Sequence, residues 1–169
     1  LQNAASGAVV VNSGTLTLDG SWVNGGAIRA TNSTVNFNGS FTVAELGTFN
    51  RSGGSVNLGG TLNNTNRTLA LDAASGPWVL SGGAVRGGTV AASGGAQLVV
   101  SSGTLDGVTV NGDVDVGRMV SEASVTVRNG LTLNGTLFLG NATNGGWGVV
   151  VFSGTQTLGG NGTVVFGGQ

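Results

Sequence analysis

Short apolar alternations, each closed by a polar residue and glycine, recur from one end of the chain to the other. The stretch from Gly103 to Gly140 shows the pattern most fully, with β-branched runs separated by Gly, Asn and Asp. No run in this stretch is long enough for a helix, and side chains that alternate with period two are typical of strands with one buried face. The pattern therefore predicts many short β-strands joined by tight corners.

Seven glycines, each lying between two predicted strands, define an internal repeat of about 22 residues. They are Gly20, Gly39, Gly60, Gly83, Gly103, Gly130 and Gly154. An apolar pair on one face of a strand precedes each glycine: Leu16/Leu18, Val35/Phe37, Val56/Leu58, Trp78/Leu80, Leu98/Val100, Val125/Val127 and Val149/Val151. The residue directly before the glycine is Asn, Asp, Ser or Gly, as a tight corner requires. The repeat is least regular at residues 44–53 and 84–95, where the third strand cannot be assigned.

Three short strands in each repeat predict an all-β fold, a right-handed parallel β-helix (β-solenoid) of about seven coils. Variable coil length argues against the left-handed form built on strict hexapeptides. We expect a single domain over residues 1–169, either a segment of a longer repeat array or a filament subunit, because no end cap is obvious. An antiparallel sandwich is the structural alternative, since it also has frequent turns.

Composition excludes several classes of function. The chain has 34 glycines, one proline, no cysteine and no histidine, and only 8% of its residues are charged. Catalysis by Ser-His-Asp or Cys-His groups is therefore excluded. A formal net charge of −1 and six scattered arginines argue against nucleic-acid binding. No apolar run reaches the length of a membrane span.

Three stretches in the second half carry a resemblance to a known class of protein. They are Leu105–Gly117 (LDGVTVNGDVDVG), Val125–Gly140 (VTVRNGLTLNGTLFLG) and Phe152–Gly168 (FSGTQTLGGNGTVVFGG). They resemble the repeat regions of secreted bacterial exoproteins, such as autotransporter passengers, filamentous-haemagglutinin-like adhesins and giant surface proteins. The resemblance implies a right-handed β-solenoid at or beyond the cell surface, and it implies no catalytic residue.

The best candidate for chemistry is a group of carboxylates, Asp113 and Asp115 with Asp106 one strand away. Residues i and i+2 on a strand lie roughly 7 Å apart on one face, within the range of carboxylate pairs in inverting glycosidases. The competing interpretation is that Val114 and Val116 point inward and the aspartates face water. Trp22 and Trp78 fall on inward positions, whereas Trp147, flanked by glycines, is expected to be partly exposed and could contact a sugar.

Three further binding hypotheses have weaker support in the sequence. Calcium solenoids need a GGxGxD motif, and the nearest match, Gly159–Val164, lacks the aspartate. Ice binding would need ranks of threonine, but Thr-x-Thr occurs at Thr15/Thr17 and Thr155/Thr157, and the equivalent positions between them hold Val, Leu or Asn. Eight Asn-x-Ser/Thr sites could carry a surface glycan, although local corner geometry also favours asparagine. They are Asn32, Asn38, Asn50, Asn63, Asn66, Asn134, Asn141 and Asn161.

The sequence as a whole favours a structural role. We expect an extracellular or bacterial cell-surface stalk, fibre or adhesin that is not an enzyme and uses no cofactor or metal. The expected partner is the protein itself, through end-to-end stacking of β-coils, or the rest of a longer solenoid. The alternative is a β-helix that binds or cleaves polysaccharide through the region of Asp106, Asp113 and Asp115.

Overall fold

A computed structural model describes residues 1–167 as a stack of β-strands with one short helix. The strands are β1 (Gln2–Asn3), β2 (Ala8–Asn12), β3 (Thr15–Leu18), β4 (Val23–Asn24), β5 (Ala27–Phe37), β6 (Ser40–Thr42), β7 (Thr48–Leu58), β8 (Thr61–Asn63), β9 (Thr68–Leu71), β10 (Trp78–Arg86), β11 (Thr89–Ala92), β12 (Leu98–Asn111), β13 (Val114–Val116), β14 (Ala123–Leu133), β15 (Thr136–Leu139), β16 (Gly148–Phe152), β17 (Leu158–Gly159) and β18 (Thr163–Phe166), and the helix is α1 (Val43–Leu46). Gly168 and Gln169, the last residues of the predicted domain, lie outside the described part.

Every strand pairing in the described residues is parallel, and each turn of the chain pairs with the turns before and after it. The result is a β-solenoid of about 7 turns, with equivalent positions about 21 residues apart. This confirms the predicted solenoid and excludes the antiparallel sandwich. The right-handed sense of the winding stays a prediction.

The strand segments lie on three faces, and β1 and β4 form a separate two-stranded sheet in the first two turns. Face A contains segments 40–42, 61–63, 84–86, 104–106, 126–128 and 151–152. Face B contains segments 8–12, 27–31, 48–52, 68–71, 89–92, 109–111, 131–133 and 158–159. Face C contains segments 15–18, 33–37, 54–58, 78–80, 98–100, 114–116, 137–139 and 163–166.

Face C is an unbroken ladder of eight rungs. Its inner column is Leu18, Phe37, Leu58, Leu80, Val100, Val116, Leu139 and Phe166, each paired in register with the next. The first five members of this column come from the apolar pairs that the sequence predicted. The sixth and seventh predicted pairs were assigned to the wrong column. Val125 and Val127 are buried as predicted, but they pair with Gly103 and Leu105 on face A. Val149 and Val151 also lie on face A, where they pair with Ser124 and Thr126 and are exposed.

A column of glycines follows face C at the corner towards face A. A Cβ added to Gly39 would overlap the carbonyl oxygen of Gly20, and the same holds for Gly60 against Gly39, Gly83 against Gly60 and Gly103 against Gly83. The backbones of consecutive turns approach here more closely than any side chain allows. Five of the seven predicted anchor glycines therefore form one column, whereas Gly130 and Gly154 lie outside it.

The interior is an apolar column, and its aromatic cluster lies in the N-terminal half of the chain. Phe37 stands at the centre of an aromatic cluster, with ring centroids 5.5 Å from Trp22, 5.7 Å from Phe41, 5.3 Å from Phe49 and 4.9 Å from Trp78. Trp22 and Trp78 are buried, as predicted. From the fifth turn on, the buried core residues are valine, leucine and alanine.

Helix α1 replaces part of the third turn between faces A and B, in the region where the predicted repeat was irregular. The Thr42 side chain accepts a hydrogen bond from the Glu45 backbone N–H, and the Thr42 N–H donates to the Glu45 carboxylate at 2.7 Å. This reciprocal arrangement is a capping box, which stabilises the start of a helix. The Thr-x-x-Glu spacing was present in the sequence and would have predicted the helix.

On the outer surface of the solenoid, polar side chains form hydrogen-bonded ladders between turns. Asn57 Nδ2 donates to Asn36 Oδ1 at 2.8 Å, and Asn36 Nδ2 donates to Thr17 Oγ1 at 3.1 Å. Asn134 likewise donates to Asn111 at 2.8 Å. An asparagine amide can serve both neighbouring turns in this way, as Asn36 does by donating to Thr17 and accepting from Asn57, which favours asparagine at the outer positions.

Candidate functional site

The candidate carboxylates Asp113 and Asp115 flank Val114 at the start of face C. Val114 and Val116 point into the core, as predicted. The expectation that both aspartates face water was wrong for Asp115, which is completely buried on the outer side of the sheet. Asp113 is half-buried and accepts a hydrogen bond from the Thr136 N–H of the next turn at 3.0 Å.

Asp115 is buried because the chain after β13 folds back over it. Gly117 has a φ of 103°, and the backbone N–H groups of Arg118 and Met119 donate to Asp115 Oδ1 at 2.9 and 3.0 Å. The Arg118 guanidinium closes the arrangement, with Nε 3.0 Å from Asp115 Oδ2. Both carboxylate oxygens are thus engaged by donors of the protein itself.

The Arg118 side chain joins three successive turns. Its guanidinium carbon lies 3.8 Å from the ring centroid of Phe138 in the following turn, and Nη2 donates to Gln97 Oε1 of the preceding turn at 3.1 Å. A guanidinium in contact with a carboxylate, an amide and an aromatic face is strongly held. The Asp115–Arg118 pair therefore fastens the loop of residues 117–122 onto the outside of face C.

Asp106 does not share a site with the other two aspartates. It lies on face A, where its Oδ1 accepts from Asn129 Nδ2 at 2.6 Å, whereas Asp113 and Asp115 belong to the start of face C. The chain between them passes through the whole of the face B segment 109–111. The predicted carboxylate group is thus divided between two faces of the solenoid.

Trp147 is 51% exposed, as the flanking glycines predicted. Its carbonyl accepts from the Glu122 N–H at 2.8 Å, and its N–H donates to Ser121 Oγ at 3.4 Å. These bonds place Trp147 beside the 117–122 loop. A small cavity of about 190 Å³ near this loop is lined by Arg118, Met119, Ser121, Asn144, Gly145 and Gly146, and by none of the three candidate aspartates.

Replacing Asp115 with asparagine tests the role of the buried pair. Asparagine retains an acceptor for the two backbone donors but loses the ionic contact with Arg118, which is 35% exposed and so partly screened. We expect a loss of about 1–2 kcal/mol in the free energy of unfolding and faster tryptic cleavage after Arg118. Urea titration and timed proteolysis measure the two effects.

Asp113→Asn is the matched control, because asparagine still accepts from the Thr136 N–H. It should change stability by well under about 1 kcal/mol and leave cleavage after Arg118 unchanged. Equal behaviour of the two variants would show that the Arg118 contact does not hold the loop.

Four of the eight glycosylation sequons have asparagines whose side chains hydrogen-bond within or between turns. Asn38, Asn63 and Asn134 donate through Nδ2 to Asp19, Ser40 and Asn111, and Asn141 Oδ1 accepts from Thr143. Stacking between turns thus accounts for the first three of these residues without a sugar. Glycan attachment stays a prediction.

Within residues 1–167, no group of three or more acidic, cysteine or histidine side chains is placed to hold a metal ion. In the same part of the chain, no helix has the length and hydropathy needed to span a membrane. No protein-family model matches the chain, and neither a curated protein nor a solved structure shows significant similarity to it.

Proposed function

We propose that this chain is a structural β-solenoid of an extracellular stalk, fibre or surface adhesin, in which further β-coils stack on its ends. The observation that carries the proposal is the surface of the last described turn. Phe166 is 75% exposed and Leu158 47% exposed, although both occupy inward positions of the stack. An exposed apolar surface of this kind marks an interaction site.

The geometry of that surface suits another coil. A cavity of about 330 Å³ opens on it, and its lining is wholly apolar: Leu137, Leu139, Val150, Phe152, Leu158, Val164 and Phe166. Within the described residues, β16, β17 and β18 each pair only with the preceding turn, which leaves one backbone edge of each strand without a partner. A further parallel rung would satisfy these edges and cover the apolar side chains at once.

The extracellular location and the stalk or adhesin role rest on the sequence. Absence of cysteine, a small number of charges and the resemblance of the later repeats to secreted exoproteins support them. The alternative, a β-helix that binds or cleaves polysaccharide, is disfavoured because the Asp115 carboxylate is buried against Arg118 and Asp106 lies on another face. In this alternative, the exposed side chain of Trp147 is the group that would contact a sugar.

Substitution of Phe166 by aspartate tests the stacking. We expect the 169-residue chain to associate end to end with rising concentration, and Phe166→Asp to abolish association because a charge cannot be buried between coils. Val165→Asp is the matched control, since Val165 lies in the same strand but points outward. Sedimentation velocity measures association, and negative-stain images distinguish end-to-end rods from lateral clusters.

Two results would contradict the stacking. One is a chain that stays monomeric at every concentration up to its solubility limit. The other is equal loss of association in Phe166→Asp and Val165→Asp, which would place the contact on the side of the rod rather than on its end.

A further inference from the structure

Seven asparagines in the chain are followed directly by glycine: Asn24, Asn38, Asn111, Asn129, Asn134, Asn144 and Asn161. The backbone nitrogen of the residue after an asparagine is a nucleophile that can attack the side-chain carbonyl carbon and displace ammonia. Glycine hinders this attack least, because it has no Cβ. All seven pairs therefore have the same intrinsic chemistry, and the fold decides which of them reacts.

In three of the pairs, the glycine N–H already donates a hydrogen bond. The acceptors are the Asn3 carbonyl for Gly25 at 2.8 Å, the Gln156 side chain for Gly130 at 2.7 Å and the Leu133 carbonyl for Gly162 at 2.8 Å. The attacking nitrogen would have to leave its acceptor before it could approach the asparagine side chain. Because breaking a hydrogen bond costs free energy, the fold protects these three pairs.

In three more pairs, the asparagine side chain is bonded to a neighbouring turn. Asn38 Nδ2 donates to Asp19 Oδ1 at 2.8 Å, and Asn134 Nδ2 donates to Asn111 Oδ1 at 2.8 Å. The reaction needs the side-chain carbonyl carbon to turn towards the following nitrogen, which breaks these bonds between turns. The polar ladders on the outer surface therefore protect the asparagines that form them.

Asn144 has neither kind of protection. It lies with Gly145 in the exposed loop between β15 and β16, and within residues 1–167 the Gly145 N–H donates no hydrogen bond. A Cβ built on Gly145 would meet no atom within 4 Å, so there is open space around the reacting atoms. The Asn144 side chain is bonded inside its own loop, because Oδ1 accepts from the Gly146 N–H at 2.9 Å.

The bond from Gly146 favours the reaction instead of opposing it. It folds the Asn144 side chain over the Gly145 peptide, which brings Cγ towards the nitrogen that attacks it. The same N–H stabilises the negative charge that develops on Oδ1 during the attack. Asn141 accepts an equivalent bond from the Thr143 N–H at 2.9 Å, but the residue after it is alanine, whose Cβ hinders the attack.

We propose that Asn144 is a site of spontaneous modification, at which the Gly145 nitrogen attacks the side chain and the amide becomes a carboxylate. The nitrogen gives its proton to hydroxide and bonds to Asn144 Cγ, and the side-chain nitrogen leaves as ammonia with a proton from water. Water then opens the five-membered imide at either carbonyl, which gives aspartate or isoaspartate. The net reaction consumes one water and releases one ammonia, and it is independent of the structural role proposed above.

The modification changes the loop that leads into the last described turn. Asn144 lines the same cavity as Arg118, so the new carboxylate is formed beside a guanidinium. Isoaspartate also adds one methylene group to the main chain between β15 and β16. The hydrogen bond from the Glu122 N–H to the Trp147 carbonyl at 2.8 Å joins this loop to the preceding turn. We therefore expect the surroundings of Trp147 to change when Asn144 is converted.

Peptide mapping by mass spectrometry, after incubation of the 169-residue chain in a mildly alkaline buffer, measures the conversion at each asparagine. In urea, all seven pairs should react at similar rates. In the folded chain, Asn144 should react at least about 5-fold faster than the other six, the factor that one broken neutral hydrogen bond accounts for. Another pair that reacts as fast as Asn144 in the folded chain would overturn the proposal.

Gly145→Ala supplies the second arm of the test, because its Cβ has space in the loop but hinders the nitrogen. It should slow the conversion of Asn144 to the rate seen at Asn141, and an unchanged rate would contradict attack by the Gly145 nitrogen. In a ¹H–¹⁵N spectrum, the converted chain should show a shifted Trp147 indole signal, and Asn144→Asp, which adds the charge without the methylene, a smaller shift. A Trp147 signal that does not move in the converted chain would overturn the expected change in the loop.

Discussion

Gly39→Ala is expected to lower the free energy of unfolding by about 3 kcal/mol or more, whereas Gly20→Ala should cost about 1–2 kcal/mol. Both glycines have positive φ, 72° and 65°, so both substitutions carry the same conformational strain. Only Gly39 has a neighbouring turn in the way, because its added Cβ would overlap the Gly20 carbonyl, whereas a Cβ on Gly20 meets no atom within 4 Å. Urea unfolding followed by tryptophan fluorescence measures the difference.

The difference between the two variants gives the cost of the steric overlap between neighbouring turns, because the cost of placing alanine at a positive φ is common to both. Gly39→Ala must separate the third turn from the second at the corner, which weakens the pairing on both adjoining faces. Equal losses in the two variants would mean that the turns do not meet at the glycine column, and the described stacking at that corner would be wrong.

Phe37→Ala should have a similarly large effect, with a loss of about 3–5 kcal/mol in the free energy of unfolding. Phe37 is completely buried, and its ring contacts Trp22, Phe41, Phe49 and Trp78. Because these four rings belong to different turns and faces, they cannot all collapse into the space that the substitution leaves. Thermal unfolding followed by circular dichroism gives the change.

Phe138→Ala is the control for the loss of an aromatic ring. Phe138 lies on the outer side of face C, half-buried under Arg118, so its removal creates no interior cavity. We expect it to cost about 1 kcal/mol. A Phe37→Ala variant no less stable than Phe138→Ala would contradict the placement of the aromatic cluster at the centre of the solenoid.

The sequence predicted the register well where the corners carry a distinctive signal. The first five apolar pairs precede glycines that stack on one another, and the structure confirms them as one column. After the fifth pair, the predicted register no longer follows face C. The coil from Leu98 to Val114 is the shortest on that face, and it has no glycine-closed pair of the predicted kind. The next such pair in the sequence, Val125/Val127, lies on face A. Local alternation looks the same on every face, so it cannot show which face a strand joins.

The burial of Asp115 could not be predicted from strand alternation, which places it outward. What buries the carboxylate is the return of the 117–122 loop, and that depends on the backbone of Gly117 and on contacts of Arg118 with neighbouring turns. An aspartate three residues before an arginine, with glycine between them, was the available signal. The division of the three aspartates between faces A and C likewise follows only from the strand pairing.

Distances along the outer column of face C test the stack of parallel turns most directly. The column is Thr17, Asn36, Asn57, Val79, Val99, Asp115, Phe138 and Val165, each paired with the next. Because the chain has no cysteine, spin labels can be placed at Thr17→Cys with Val165→Cys, and at Asn57→Cys with Val165→Cys. At roughly 4.8 Å for each rung, electron–electron double resonance should give separations of about 34 Å and about 24 Å. A Thr17–Val165 distance no longer than the Asn57–Val165 distance would contradict the solenoid.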